Sequence, residues 1–270
     1  MFELTYVRPK SLAEASAFLA ANPEAKLLAG GMTLIPTLKQ RLAQPSHLVD
    51  IAGLAELRGI NAADGQIVIG AAMKHGEIET SPPVKEALPA LAYLASQVAD
   101  PQVRNMGTIG GSVANNDPAA DYPAALLALD AIVITSQRAV AASDYFQGLF
   151  ATALEPGEII TRISFPVSKR AEYARFAHPV SGYAMAGVFI AETNAGIRIA
   201  VTGVGPGVFR WHDAEAALAQ DPSVEAIDKL VLDCESFSRD IHGTPEYRAN
   251  LVKVMAKRAV QKMWHAERGK

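Results

Sequence analysis

Apolar positions along this chain fall into short periodic runs separated by clusters of glycine, proline, aspartate and asparagine. Near the start, Leu12, Ala15 and Leu19 recur at helical spacing behind Ser11-Leu-Ala-Glu14. In that pattern the serine hydroxyl caps the first turn and the glutamate reaches back to the cap. The run stops at Asn22-Pro23. Residues 26–29 then read as a short strand, 33–42 as a helix and 47–51 as a second strand. Between 59 and 70 alternating apolar residues flank Asp64-Gly65, which predicts a hairpin and sets a junction between two lobes near residue 55.

Further on, Leu88, Leu91, Leu94, Ala95 and Val98 predict one helix over 85–100, ending at Asp100-Pro101. Residues 123–129 read as helix and 131–135 as strand, and Glu155-Pro-Gly-Glu158 turns the chain into a strand over 159–165. A domain boundary is expected at 166–169. Beyond it, strands over 183–192 and 197–203 flank a turn at 193–196 and form a second hairpin. A last helix opens at Thr244-Pro245, with Val252, Met255, Ala256, Ala259 and Met263 along one stripe. The order is that of an α+β protein, without the repeated βαβ units of a Rossmann domain.

The candidate chemistry lies in two glycine-bearing loops. In Met106-Gly-Thr-Ile-Gly-Gly-Ser112, the residues Gly107, Gly110 and Gly111 permit positive φ and close approach, so that successive N–H groups can converge on an anion. Thr108 and Ser112 add hydroxyls. Asn115, Asn116, Asp117 and Asp121 follow with short polar side chains suited to ribose hydroxyls, and Pro118 stiffens the turn. Ala29-Gly-Gly-Met-Thr-Leu-Ile-Pro36 is a second loop of this kind, placed at a helix start where free amides favour phosphate. Spacing alone allows Gly30-Gly31 to be only a tight strand-to-helix turn. Two such loops suggest one long, doubly phosphorylated ligand. Asp117 and Asp121, four apart at a helix start, read as cap and ribose ligand before acid and base.

Bulk properties remove other classes. With 270 residues, a formal charge of -3 and a pI near 6.1, the chain has no basic footprint, so nucleic acid is excluded as the expected partner. Cys234 is the single cysteine, which rules out an intrachain disulfide and an iron–sulfur cluster held by this chain's thiolates alone. The six histidines show no ligand spacing, and neither a GxSxG elbow nor a P-loop lysine is present. No metal site and no catalytic acid–base residue is therefore expected. Gly203-Val-Gly-Pro-Gly207 reads as a strand-connecting turn, because Pro206 lacks the N–H a nucleotide loop would need. No leader pattern and no run of about 18 apolar residues occurs, which leads to the expectation of a cytoplasmic protein without a transmembrane segment.

The two glycine loops, together with Asp117-Pro-Ala-Ala-Asp121, resemble the FAD-binding medium subunit of the molybdenum hydroxylases, the carbon-monoxide dehydrogenase and xanthine dehydrogenase family. Asp240-Ile-His-Gly-Thr-Pro-Glu-Tyr-Arg248 is similar to the signature of that family's C-terminal flavoprotein domain. The resemblance implies a two-lobed FAD-binding domain of the vanillyl-alcohol-oxidase type over 1–166, with lobes 1–55 and 56–166. A C-terminal α+β flavoprotein domain over 170–270 would follow. FAD contacts are implied at Ala29, Gly30, Gly31, Met32 and Thr33, at Thr108, Ile109, Gly110, Gly111 and Ser112, and at Asn115, Asp117 and Asp121. Tyr183 is implied beside the isoalloxazine ring. Met32 and Ser112 depart from the family pattern, where a polar residue and an asparagine are common. Contacts made by backbone N–H groups would survive both changes. The implied function is electron transfer in a dimer of heterotrimers, beside a small subunit with 2Fe-2S clusters and a large subunit with a molybdenum cofactor. A free-standing FAD oxidase or dehydrogenase, and a scaffold that has lost its flavin, are the other readings.

Overall fold

The structure, a computed structural model, describes residues 1–265. The N-terminal lobe comprises β1 (Thr5–Val7), α1 (Leu12–Ala21), β2 (Lys26–Leu28), α2 (Leu34–Lys39) and β3 (His47–Asp50). Its three strands are parallel in the order β1-β3-β2. As the sequence indicates, Ser11 caps α1, with its hydroxyl accepting from the Glu14 N–H at 3.2 Å.

The second lobe runs through β4 (Ile60–Ala63), β5 (Gln66–Gly70), α3 (His75–Thr80), α4 (Pro82–Ala87), α5 (Pro89–Gln97), α6 (Pro101–Arg104), α7 (Ile109–Asn115) and α8 (Tyr122–Ala128). It continues with β6 (Ile132–Thr135), β7 (Ala139–Ala141), α9 (Ala142–Tyr145), β8 (Phe146–Gly148), β9 (Ala151–Thr152) and β10 (Ile160–Pro166). Its antiparallel sheet has the order β4-β5-β10-β6-β7. The β4–β5 turn places Asp64 at φ 52° and Gly65 at φ 71°, as the Asp-Gly signal requires. The single helix expected over 85–100 is instead two. Pro89 disfavours the helical conformation at Leu88, which sits at φ -140°, ψ 68°, so α4 stops and α5 restarts at the proline. The apolar stripe itself holds: Leu88, Leu91, Leu94 and Ala95 are buried.

The last part contains β11 (Arg170–Ala177), β12 (Ala184–Thr193), β13 (Gly196–Thr202), β14 (Phe209–Arg210), α10 (His212–Gln220), α11 (Val224–Asp228) and α12 (Pro245–His265). Strands β11 to β14 form an antiparallel sheet in chain order. Sequence patterning misses β1, β11 and α10. In β11, Arg170, Glu172 and Arg175 interrupt any apolar alternation. Strand β12 is buried on both faces. Phe189 and Ala191 join the core of the second lobe, while Ala186, Val188 and Ile190 face Val252, Met255 and Ala259 of α12.

Helix α8 binds these parts together. Every residue from Tyr122 to Ala128 is buried, because its flanks meet the second-lobe core on one side and β12 and β13 on the other. The turn before it is fixed from the C-terminal sheet. The Thr202 hydroxyl donates to the carbonyls of Pro118 (3.0 Å) and Ala120 (2.8 Å), and the Gly203 N–H donates to Pro118 O (2.9 Å). Residues 203–207 form the expected connecting turn, with Gly203 at φ 90°. No helix among the described residues is long and apolar enough to cross a membrane.

Candidate functional site

The chain leaves β2 at the carboxyl edge of the parallel sheet, and residues 29–33 carry it into α2. Gly31 has φ 72°, so the backbone reverses its curvature there, and the Ile35 N–H closes the turn onto Gly31 O at 3.0 Å. Thr33 makes no side-chain cap. Among the described residues, the N–H groups of Gly30, Gly31, Met32 and Thr33 donate to no protein acceptor. A left-handed glycine within four successive free amides is the geometry of an anion-binding concavity. Met32, which departs from the expected polar residue, is 39% exposed.

The second loop is built in the opposite way. The N–H groups of Met106 and Gly107 donate to Val103 O, that of Ile109 to Met73 O (3.0 Å), and that of Gly110 to Ala71 O (2.9 Å). Gly111 donates to the Thr108 hydroxyl at 3.1 Å, and Ser112 to Thr108 O at 3.0 Å. The start of α7 is therefore satisfied from within, and the expected convergence of its amides on an anion does not occur. Nor do Gly107, Gly110 and Gly111 take positive φ; they are glycines because other atoms lie where a Cβ would be. A Cβ on Gly110 would stand 2.6 Å from Ala71 Cβ, and one on Gly107 would stand 2.8 Å from His75 Nε2.

The two loops touch. A Cβ on Gly30 would lie 2.2 Å from Met106 O and 2.6 Å from Gly107 Cα, and one on Gly111 would lie 3.9 Å from Ala29 Cβ. Beyond this junction Ser112 and Asn115, three apart on α7, share a face. Both are partly exposed, and among the described residues neither side chain has a protein partner. Asn116, also considered as a ribose ligand, is buried. Its amide nitrogen donates to Gly148 O (2.9 Å) and Ala151 O (2.7 Å), pinning the β8–β9 hairpin. Asp117 closes a local turn by accepting from the Ala119 N–H at 2.8 Å.

Asp121 precedes α8 without capping it through its side chain. Its Oδ1 accepts from the Tyr173 hydroxyl (2.5 Å) and from Arg175 Nη1 (3.0 Å), and its Oδ2 accepts from Arg175 Nη1 (3.2 Å). Burial pushes its carboxyl upward against the pull of Arg175 and Tyr173. Tyr183 is 51% exposed. Partial burial, then the nearby carboxylates of Asp117 and Asp121, raise its hydroxyl above the usual tyrosine value.

His75, Tyr122, Tyr173 and Arg175 belong to the site and are not evident from spacing. His75 is buried behind Gly107, with Nδ1 3.1 Å from the Tyr122 hydroxyl and its N–H on Gly107 O at 3.0 Å. Burial, then the charge of Arg104, lowers its pKa to about 4, so the ring is neutral at pH 7. The segment Asp240–Arg248 is structural. Asp240 Oδ1 accepts from the N–H groups of His242 and Gly243, its Oδ2 meets Arg248 Nη2 at 2.6 Å, and Arg248 Nη1 reaches the carbonyls of Met185 and Gly203.

A cradle of free amides packed against an internally bonded glycine loop, with the unpaired side chains of Ser112 and Asn115 on the adjoining helix, has the geometry of a site for a phosphate-bearing ligand. Comparison with known proteins narrows that class. Residues 1–168 match the family described as the FAD binding domain in molybdopterin dehydrogenase, and residues 164–263 match the CO dehydrogenase flavoprotein C-terminal domain. The chain is 36% identical over 277 aligned residues to the carbon monoxide dehydrogenase medium chain of Hydrogenophaga pseudoflava, covering 96% of each. It is 33% identical to the nicotine 6-hydroxylase medium subunit of Paenarthrobacter nicotinovorans, covering 95% of this chain and 96% of that one. A solved structure of the Hydrogenophaga pseudoflava carbon monoxide dehydrogenase lacking the Mo-pyranopterin moiety superposes with a TM-score of 0.91 at 37% identity, covering 98% of both chains. The chain belongs to the FAD-binding medium subunits of the molybdenum hydroxylase family, and is the flavoprotein component of an oxidoreductase.

Proposed function

We propose that this chain carries FAD between an iron–sulfur small subunit and an external electron acceptor, while a large subunit with the molybdenum cofactor oxidises the substrate. The observation that carries the reading is the run of four free N–H groups from Gly30 to Thr33 lying against the internally capped second loop. Those donors fit a pyrophosphate, which needs several convergent N–H groups and a close backbone. Bound FAD supplies electron acceptance and release, and the chain supplies binding, orientation and electrostatics.

In this proposal Gly30, Gly31, Met32 and Thr33 hold the pyrophosphate by backbone donors, with Ala29 lining the same loop. Thr108, Ile109, Gly110 and Gly111 form the rigid floor beneath it. Ser112, Asn115 and Asp117 offer side-chain hydrogen bonds to the polyol or ribose. Asp121 Oδ2, with one bond to Arg175, retains acceptor capacity for a ribose hydroxyl. Tyr183 covers the isoalloxazine ring. The domain division we propose is 1–166, with lobes 1–55 and 56–166, followed by 170–270, in an assembly that is a dimer of heterotrimers. Cys234, the only cysteine, leaves the 2Fe-2S clusters to the small subunit.

The test is reduction of the isolated chain. Purified with its cofactor, it should absorb near about 450 nm, as oxidised flavin does, and bleach with dithionite. Aldehydes, N-heterocycles and carbon monoxide should leave it oxidised until both other subunits are added. Anaerobic bleaching by any of these substrates without them would reassign the chain as a free-standing flavin dehydrogenase, and absence of the flavin band would make it an empty scaffold.

A further inference from the structure

Arg175 lies on β11, outside both glycine loops, yet it touches both ends of the cofactor site. Its Nη1 donates to the two carboxylate oxygens of Asp121 at 3.0 and 3.2 Å, and its Nη2 donates to the Gly182 carbonyl at 2.9 Å. Asp121 closes the segment leaving the second glycine loop, whereas Gly182 immediately precedes Tyr183. The Arg175 and Asp121 side chains are 10% and 7% exposed, and the Tyr173 hydroxyl fixes the same carboxylate from a third direction. A planar guanidinium can serve two acceptors at a set angle, while a lysine ammonium on a flexible stem cannot reproduce that span.

The tyrosine loop has few other anchors. Gly182 has φ 72°, and residues 178–183 are closed on themselves by Gly182 N–H to His178 O (2.9 Å) and His178 N–H to Tyr183 O (2.7 Å). Outside the loop, the His178 ring meets that of His242 edge-on at 4.2 Å. The Gly182 carbonyl is thus the point at which the second-lobe end of the site, through Asp121, is connected to the tyrosine.

We infer that Arg175 is a positioning residue that sets the placement of Tyr183 over the flavin ring by tying Gly182 to Asp121. It orders the aromatic wall of the site without being needed to retain the cofactor. This rests on the FAD reading above.

The experiment uses the FAD-loaded protein in its native assembly and reads flavin stoichiometry, fluorescence of the bound flavin and melting temperature. A tyrosine stacked on an isoalloxazine ring quenches its emission, and the stacking depends on geometry. Arg175→Lys should keep stoichiometric FAD and raise bound-flavin fluorescence several-fold. Tyr183→Leu should raise it to a similar level, and the double variant should add nothing further. A general loss of stability would lower the melting temperature without this non-additivity. Wild-type fluorescence in Arg175→Lys, or full additivity with Tyr183→Leu, would overturn the inference. Loss of FAD from Arg175→Lys would also overturn it, by making Arg175 a binding group. If Arg175→Lys does not fold, Arg175→Gln, which keeps a planar donor, is read by the same criteria. Failure of the FAD reading itself is distinguishable, because the unmodified chain would then show no flavin band.

Discussion

The two glycine loops look alike in sequence and are opposites in structure. Residues 29–33 hold their shape with a left-handed glycine and leave four amides free, whereas residues 106–112 bind nearly every amide to protein. In the function proposed above, the first receives the pyrophosphate and the second is the surface packed against it. Glycine content therefore reports close backbone approach, and only hydrogen-bond bookkeeping tells whether the approaching group is a ligand or the protein itself.

The contrast can be broken most severely where the loops meet. Gly30→Val places a branched Cβ 2.2 Å from the backbone oxygen of Met106, which no rotamer change relieves. We expect a loss of roughly 3 kcal/mol or more and no retained flavin, read by denaturant unfolding and by the visible spectrum. Stable, fully flavinated Gly30→Val protein would show that the loops do not pack together.

Next in size is a dependence on pH from His75, which stands behind the second loop. His75 is lowered to about 4 in the folded protein from an ordinary value of 6.5, so the unfolded chain binds more protons between those limits. Its contribution is complete above pH 6.5, declines as pH falls toward 4 and is constant below that. The span corresponds to about 3 kcal/mol. The difference in urea midpoint between the native protein and His75→Gln should change with pH inside that window; a constant difference would remove His75 from the support of Gly107.

Two smaller substitutions separate the roles. Gly31→Ala forces an L-residue to φ 72° and should cost the apoprotein about 1–2 kcal/mol, while lowering FAD affinity by a larger factor because the cradle amides turn. Thr108→Ala removes the cap on Gly111 and should cost about 1 kcal/mol of stability with a lesser effect on FAD. Calorimetric unfolding and flavin titration of both proteins check the pair. Reversal of the order, with Thr108→Ala the more damaging to affinity, would exchange the functions assigned to the loops.

Much of this architecture is legible in the chain. The α1 cap, the Asp64-Gly65 hairpin, the proline-led α12 and the non-nucleotide turn at 203–207 each follow from local chemistry that tertiary contacts do not override. Strand β11 and the role of Arg175 are not legible, because a charged residue within an edge strand looks solvated until its partner, Asp121, is brought from 54 positions away. Helix α4–α5 is misread for a different reason: the apolar stripe continues through Pro89 although the backbone does not. The phosphate cradle is partly legible, since the sequence locates both loops and reads free amides in each, whereas the structure leaves a run of them unpaired only at residues 30–33.

Helix α8 carries a last consequence. Its apolar surface is covered from two sides, and in the turn leading into it the carbonyls of Pro118 and Ala120 accept from Thr202 and Gly203 of the C-terminal sheet. A chain cut near residue 168 would leave one flank of that helix facing water and those carbonyls without their donors. The two parts should therefore melt as one cooperative unit, and the amides of α8 should be among the last to exchange with deuterium. A fragment ending near residue 168 should fail to fold as a self-standing flavin module, and supplying the C-terminal sheet in trans should rescue it.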